Sequence, residues 1–383
     1  MKTTCRSVVV LHLLLAGALP VHAQLPAAGG YEAAPDDWLL GSAPAWHYRS
    51  RVADSPVPLE TRAARADETA LVERARKLVE NGPAKAIALV SGHALIWAGY
   101  KTGKLADKRF VDLGLGKTIT SLAAGRAVCS GRLSMDTRAG EVIPELRSTD
   151  LGQANLRQLL TMTSGTWEGY PDSTVASPEE AEAIQKGKLN LLQLVKTEKV
   201  SSANRSLLGT RRLPGEEFAY RSTDPLVVGI MLRRSTGLPY AKYVEQEVLL
   251  PAGIRAPAII GQDRFGYGLA DGSLRMTLED WVRVAIWLRE RMDAQDCLSK
   301  YLEDATTTRV PNRTKKFGSA FEGYGYLIWT DNSRLHDSFW AFGHGGQRIA
   351  WNHHNQRIIV AFSNVENYMD ELYLLYRDWA NLP

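Results

Sequence analysis

The alternation of hydrophobic and polar residues predicts a helix followed by a β-hairpin in the first third of the chain. Segment 69–81 repeats its apolar residues every three or four positions and ends at Asn81-Gly82-Pro83, which is typical of a helix stop. Apolar runs at 87–90 and 95–97 flank the turn Ser91-Gly92-His93, and this pattern indicates two antiparallel strands. The chain therefore begins its ordered part with mixed α and β structure.

Helical spacing dominates the middle of the chain, and strand patterns return near its end. Strands at both ends around a long helical middle indicate an α/β unit with a helical insertion. Between Gly165 and Gly215 the chain is polar, with helical patches only. The predicted elements are helices at 114–131, 156–163 and 240–250, a helix from the capping box Thr277-Leu-Glu-Asp280 through Trp287, strands at 323–329, 348–351 and 357–363, and a closing helix at 368–379.

The first 23 residues have the pattern of a secretory signal peptide. Lys2 and Arg6 precede an apolar stretch at 8–19, and the small residue Ala23 marks the expected cleavage site. The apolar stretch is shorter than the roughly 20 residues that span a bilayer, so a cleaved signal is predicted rather than a stable membrane anchor. We expect a secreted or periplasmic protein whose residues 24–82 form an N-terminal arm and helix.

Composition describes a packed, nearly neutral globular protein. Of 383 residues, 45% are hydrophobic and 23% are charged, which excludes a disordered or collagen-like chain. Removing the predicted signal leaves 360 residues with 44 basic and 42 acidic side chains. Such a balance gives no basis for nucleic-acid binding.

Two cysteines, Cys129 and Cys297, remain after the predicted cleavage. Cys129 lies in the apolar helical run 122–129, where a buried free thiol is the commoner arrangement. Export permits a disulfide between the two, so the sequence favours free thiols and leaves the pairing open.

The segment Gly114-Leu-Gly-Lys-Thr118 imitates part of a phosphate-binding loop. The full G-x-x-x-x-G-K-[ST] pattern requires glycine at position 111, where this chain has Val111. The pair His353-His354 has no evident third metal ligand. We therefore predict no nucleotide, no other cofactor and no metal ion.

Three separated motifs account for Lys117 better. Lys117 opens a helical run, Tyr220-Arg-Ser222 follows a Pro-Gly turn, and segment 343–347 reads Gly-His-Gly-Gly-Gln. With its motifs in this order, the chain resembles the serine β-lactamase and penicillin-binding-protein superfamily, in particular its class C β-lactamase, family VIII esterase and 6-aminohexanoate-dimer hydrolase branches. The segments between the motifs, 143–146 (Ile-Pro-Glu-Leu) and 156–165, are also typical of this superfamily.

The resemblance covers residues 83–383 and implies an α/β (α+β) fold in which an antiparallel sheet is flanked by helices beside a helical subdomain. It places the α/β part at 83–125 and 319–383 and the helical part at 126–318, with the cleft between them. It also implies hydrolysis of an amide or ester bond, including β-lactams and short amide oligomers, through an acyl-serine. The expected partner is a small peptide-like substrate, and the sequence leaves the oligomeric state open.

The resemblance also assigns roles within the cleft. Lys117 corresponds to the base and Tyr220 to a proton relay, and Ser222 corresponds to a residue that orients substrate or water. The backbone N–H groups of residue 114 and Gln347 correspond to the oxyanion hole. Trp167 and Tyr170 either line the cleft or pack within their loop. The third motif contributes His344, Gly345, Gly346 and Gln347 to substrate binding.

Position 114 departs from the family pattern. The nucleophilic serine is expected three residues before Lys117, where this chain has Gly114, which carries no attacking atom. The hydroxyl of Thr118 is the nearest substitute, but it is expected to bond a carbonyl of its own helix. Either this is a natural protein without the nucleophile or it is a Ser→Gly variant of an active hydrolase. A non-catalytic binding protein that uses the same cleft is the alternative function.

Overall fold

The computed structural model describes residues 46–171, 173–205 and 209–383. The predicted signal peptide, its cleavage site and residues 24–45 of the predicted arm lie outside these ranges. Within them, no helix is both long and apolar enough to cross a bilayer.

Thirteen strands in the described ranges form two sheets. The larger sheet has nine strands in the order β2-β4-β3-β13-β12-β11-β10-β9-β8, and the smaller has the order β1-β6-β7-β5. All neighbours are antiparallel except β2 and β4. The strands are β1 (His47–Arg49), β2 (Glu60–Thr61), β3 (Ala84–Ser91), β4 (Ala94–Tyr100), β5 (Phe110–Val111), β6 (Ile259–Gly261), β7 (Leu274–Met276), β8 (Val310–Pro311), β9 (Phe321–Tyr324), β10 (Trp329–Asn332), β11 (Leu335–Gly343), β12 (Gln347–Trp351) and β13 (Arg357–Ser363).

Helices flank the larger sheet and fill the middle of the chain. Short 3₁₀ turns occur at Gly103–Leu105 and Pro144–Leu146, and a π-helical turn at Glu245–Leu249. The α-helices are α1 (Ala66–Glu80), α2 (Lys117–Cys129), α3 (Ala139–Val142), α4 (Asp150–Gln153), α5 (Leu156–Leu160), α6 (Pro178–Gln185), α7 (Leu191–Lys196), α8 (Glu198–Ser201), α9 (Thr223–Thr236), α10 (Tyr240–Val244), α11 (Leu278–Asp293), α12 (Cys297–Ala305) and α13 (Met369–Ala380).

The core of the larger sheet lies at β3 and β13. All seven residues of β13 are buried, so both faces of this strand are covered. Helices α1 and α13 contact each other and the two central strands, and α11 also contacts both strands. The fold is therefore the predicted antiparallel sheet flanked by helices.

Helix α2 is the central helix of the helical part. It packs against α9, α10 and α12, and nearly all of its residues are buried. Its first residue is Lys117, which places the first sequence motif where the helical part meets β5 and β7. The packing of α2 therefore fixes the base of the predicted cleft.

A disulfide joins Cys129 to Cys297, and the expectation of free thiols was wrong. The two Cα atoms lie 5.7 Å apart, within the range of disulfide geometry. Cys129 ends α2 and Cys297 begins α12, so the packing of these helices brings the two residues together across 168 positions of sequence. A local apolar run such as 122–129 carries no information about such a partner.

The observed elements agree with most of the predicted ones. The predicted helix at 69–81 is α1, the hairpin is β3 and β4, and strand 357–363 is β13. Thr277 caps α11 by accepting a hydrogen bond from the Asp280 N–H, but the helix runs to Asp293 rather than Trp287. The predicted strand at 323–329 is instead two strands, β9 and β10, separated by a turn.

Candidate active site

The side-chain amine of Lys117 lies directly in front of position 114. Lys117 is 3% exposed, and its Nζ donates a hydrogen bond to the backbone carbonyl of Asp271 at 2.8 Å. A Cβ atom built on Gly114 would lie 3.2 Å from this Nζ. A side chain at position 114 would therefore meet the amine, as the i, i+3 spacing predicted.

The backbone of position 114 has a conformation that suits glycine. Gly114 has φ +116°, and the preceding Leu113 has φ +46°, so two consecutive residues have positive φ. The backbone of Gly272 packs against this turn, since a Cβ on Gly272 would lie 2.5 Å from the Gly114 nitrogen. The absence of a side chain at 114 is thus matched by the local backbone.

The carboxyl group of Asp112 fills the inside of the same turn. Asp112 is fully buried, and its Oδ1 accepts a long hydrogen bond of 3.4 Å from the Gly114 N–H. A Cβ on Gly116 would overlap its Oδ2. Burial raises the pKa of Asp112 to about 7, while the N–H groups of Gly114 and Leu274 and the charge of Lys117 oppose the rise. Sequence reasoning missed Asp112; an acidic residue within an apolar strand end was the available signal.

The Gly114 N–H, which the family resemblance assigned to the oxyanion hole, is directed at Asp112. The Leu113 carbonyl on the other side of that peptide accepts a hydrogen bond of 2.8 Å from the His344 N–H. Gln347 lies opposite Gly343 in the β11–β12 ladder, and its side chain bonds the His344 carbonyl and the Ser363 N–H.

The third motif is pressed against the first. A Cβ on Gly343 would overlap the backbone oxygen of Asp112, so only glycine permits this approach. His344 is exposed at the turn between β11 and β12. The Gly345 N–H donates to Glu366 Oε1 at 3.1 Å, and the Gly346 carbonyl accepts from the Tyr368 hydroxyl at 3.0 Å.

Tyr220 lies beside Lys117, and Ser222 follows Tyr220 by two residues at the start of α9. The Lys117 Nζ lies 5.2 Å from the centre of the Tyr220 ring. The Tyr220 ring stacks on Trp329 with 5.2 Å between ring centres and packs against Phe317 at 5.4 Å. Ser222 is fully buried immediately before α9, and its N–H donates to the Ser173 carbonyl at 3.0 Å.

A second carboxyl group that sequence reasoning missed, Asp271, lies beside Lys117. Its side chain is 2% exposed, and burial raises its pKa, opposed by the charge of Lys117 and the hydroxyl of Ser222. No sequence motif marks Asp271, because it is 154 positions from Lys117 and only the fold brings them together. The cluster around position 114 therefore contains two acids and one amine.

Trp167 and Tyr170 lie on a loop beside the Tyr220 segment. Both are half-buried, and their rings pack edge to face with 5.1 Å between centres. The ammonium of Lys199 lies 4.2 Å from the Trp167 ring centre and donates to the Tyr170 hydroxyl at 2.6 Å. The loop is tied to the site because Arg221 donates to the Thr166 carbonyl at 2.6 Å.

The hydroxyl groups nearest to Lys117 along α2 are already engaged. Thr118 donates to the Leu327 carbonyl at 3.1 Å, an acceptor outside its own helix. Ser121 shares a hydrogen bond of 2.9 Å with the Tyr301 hydroxyl. Neither hydroxyl is directed at the base of the cleft in this geometry.

Comparison with known proteins identifies the family. The family model described as Beta-lactamase matches residues 86–380. A 6-aminohexanoate-dimer hydrolase from Paenarthrobacter ureafaciens is 23% identical over 291 residues, covering 73% of this chain and 72% of that protein.

Two solved structures have the same fold. One is a Bacillus anthracis protein proposed to be a 6-aminohexanoate-dimer hydrolase (TM-score 0.65, 19% identity, 87% of this chain and 90% of the other). The other is EstCE1, a hydrolase with promiscuous acyltransferase activity (TM-score 0.63, 18% identity, 82% of this chain and 99% of the other). Because the family model matches most of its length, the chain belongs to the Beta-lactamase family.

Proposed function

We propose that this protein recognises small amides or esters in the cleft of an acyl-serine hydrolase but does not form an acyl-enzyme. The proposal rests on the glycine at 114, where a Cβ would lie 3.2 Å from the Lys117 amine. The site thus retains the groups that serve the nucleophile but not the nucleophile itself. Turnover by binding and polarisation alone would be at most about 10³- to 10⁴-fold above the reaction in water.

Two features support a substrate class of linear amides and esters. The curated relative is named for a linear amide dimer. His344 occupies the third motif, where β-lactamases carry lysine, and this favours linear amides and esters over β-lactams. The non-catalytic binding protein and the impaired hydrolase share this cleft, and the rate of turnover separates them.

The first test is intact-mass spectrometry after exposure to a fluorophosphonate, a probe that phosphonylates reactive serine hydroxyls. We expect no adduct within the cleft, because Gly114 has no atom to modify. Calorimetric titration with a linear aminohexanoate dimer is expected to show binding. The same protein should hydrolyse nitrophenyl esters no faster than about 10³- to 10⁴-fold above the uncatalysed rate.

Two variants serve as controls for this test. Lys117→Met removes the amine with little change of volume and should weaken binding of the dimer, while Lys196→Met, at an exposed position of α7, should not. A fluorophosphonate adduct mapped to Thr118, Ser121 or Ser222 would overturn the proposal, since the cleft would then contain a working nucleophile. If the Lys117→Met variant bound the dimer as tightly as the parent, the dimer would not bind in this cleft.

We also propose that the protein is exported. The signal-like first 23 residues and the Cys129–Cys297 disulfide support export, because disulfides persist mainly in oxidising compartments. Fractionation of the native host should recover protein that begins at Gln24 outside the cytoplasm. Recovery of full-length protein from the cytoplasm alone would contradict export.

A further inference from the structure

The turn between β5 and α2 contains one buried acid, Asp112, and two glycines, Gly114 and Gly116. Asp112 follows β5 directly, and its carboxyl group reaches back over the turn to Gly114 and Gly116. Because a Cβ on Gly116 would overlap Asp112 Oδ2, the glycine at 116 is needed only while a side chain of this size stands at 112. Residues 112, 114 and 116 therefore form one interdependent unit.

Asp112 also constrains the peptide that precedes position 114. Its hydrogen-bond donor is the Gly114 N–H, which belongs to the peptide between Leu113 and Gly114, two residues with φ of +46° and +116°. An L-residue at 114 prefers a negative φ, and because the buried helix α2 holds the residues that follow, reaching that φ requires the Leu113–Gly114 peptide to turn and takes its N–H away from the carboxyl group. A buried carboxyl group that loses a donor is destabilised, so Asp112 opposes the rotation.

We infer that Asp112 is a positioning residue that holds position 114 in a conformation suited to glycine, so a serine at 114 becomes competent only when Asp112 is also replaced. This inference rests on the proposed function, since it concerns the nucleophile position of the same cleft. It adds that the missing hydroxyl is one of two obstacles to acylation at this site.

The packing around the turn is consistent with this role. The backbone of Gly272 covers the Gly114 nitrogen on one side, and Gly343 touches the Asp112 carbonyl on the other. The Leu113 carbonyl is held by the His344 N–H at 2.8 Å. Neighbouring backbone therefore encloses the turn. A substitution can remove the Asp112 side chain without displacing another strand, so this residue is the one to mutate.

The test is a double-mutant cycle with Gly114→Ser and Asp112→Ala, followed by the rate of acylation by a nitrophenyl ester and by Tm. We expect Gly114→Ser alone to acylate slowly and to have a lower Tm than the parent. The double variant should acylate at least tenfold faster than Gly114→Ser, and the Tm penalty of the serine should shrink in the Asp112→Ala background. Asp112→Ala alone should not acylate.

Asp112→Asn is the matched control because asparagine keeps the size and one acceptor oxygen. Combined with Gly114→Ser, it should remain as slow as Gly114→Ser alone. Gly114→Ala measures the conformational penalty without adding a nucleophile, and its Tm penalty should also shrink in the Asp112→Ala background. A purely structural role for Asp112 would lower Tm in all backgrounds without changing the acylation rate of the serine variant.

The outcomes distinguish this inference from the proposed function. Equal Tm penalties for Gly114→Ser and Gly114→Ala with and without Asp112 would overturn the role of Asp112, whatever the activity. Coupled Tm penalties without acylation would support the role of Asp112 and overturn the view that the cleft is otherwise competent. If the serine variants do not fold, hydrogen exchange of the Gly114 backbone amide tests the role of Asp112. The Asp112→Ala variant alone should exchange this amide faster than the parent, and an unchanged exchange rate would overturn the inference.

Discussion

The side-chain amine of Lys117 donates a hydrogen bond of 2.8 Å to the backbone carbonyl of Asp271. This bond joins the first residue of α2 to the segment before β7, and it fixes the amine beneath position 114. A lysine held in this way is placed to accept a proton from a hydroxyl at 114 without a search through rotamers. The effect of removing the Lys117 amine on the acylation rate can therefore be measured once a hydroxyl is present at 114.

We predict that Lys117→Ala abolishes the acylation gained by the Asp112→Ala/Gly114→Ser variant. Loss of a general base typically lowers a rate by about 10²- to 10⁴-fold, and a drop in this range is expected. Stopped-flow acylation with a nitrophenyl ester measures it, and Lys196→Ala on α7 is the control. Retention of the full rate without Lys117 would show that another group accepts the proton.

Asp112 should make the stability of the protein depend on pH between about 4 and 7. Its pKa is about 7 in the fold against the ordinary value of 3.8, so the folded state holds a proton that the unfolded state has lost. The stabilisation is complete below about pH 4 and falls by about 1.4 kcal/mol per pH unit until the folded group ionises near pH 7.

The Asp112→Asn variant checks this dependence. Asparagine keeps an acceptor for the Gly114 N–H but does not titrate, so this contribution to the slope should disappear. Urea unfolding at several pH values should show that the variant gains stability relative to the parent as pH rises from 4 to 8. Parallel stability curves for the two proteins would contradict a raised pKa at Asp112.

Gly116→Ala should destabilise the protein through Asp112. The added methyl group would overlap a carboxyl oxygen that is fully enclosed, and overpacking of a buried site costs about 1–3 kcal/mol. Gly103→Ala is the control, because a Cβ there meets no atom within 4 Å. The penalty at 116 should largely vanish with Asp112→Ala; a penalty that persists there would place the clash elsewhere.

The sequence identified residues that act through local spacing and missed those that act through the fold. Helical periodicity predicted α1, and the three-residue separation placed Lys117 before position 114. Helix α9 was missed because its first ten residues are all buried, so its apolar residues show no amphipathic period. Strand β11 was also missed, because polar residues open it and interrupt its apolar pattern.

The acids of the site were missed for a different reason. Asp271 belongs to no motif and reaches Lys117 only through the pairing of β7 with β5. The positive φ at Gly114 depends on Asp112, Gly272 and the His344 N–H together, and no single residue identity encodes it. Glycine at 114 revealed the absence of a nucleophile but not the conformation that accompanies it.

The disulfide should contribute to stability because it closes a long loop between two packed helices. Cys129 and Cys297 are 168 positions apart, and loss of a native disulfide typically costs about 2–5 kcal/mol. We expect the Cys129→Ala/Cys297→Ala variant to unfold at lower urea concentration than the oxidised parent. Addition of a reductant should lower the midpoint of the parent to near that of the variant and leave the variant unchanged. Thiol titration of the denatured, unreduced protein purified from an oxidising compartment should detect neither of the two cysteines, and detection of both would contradict the bond.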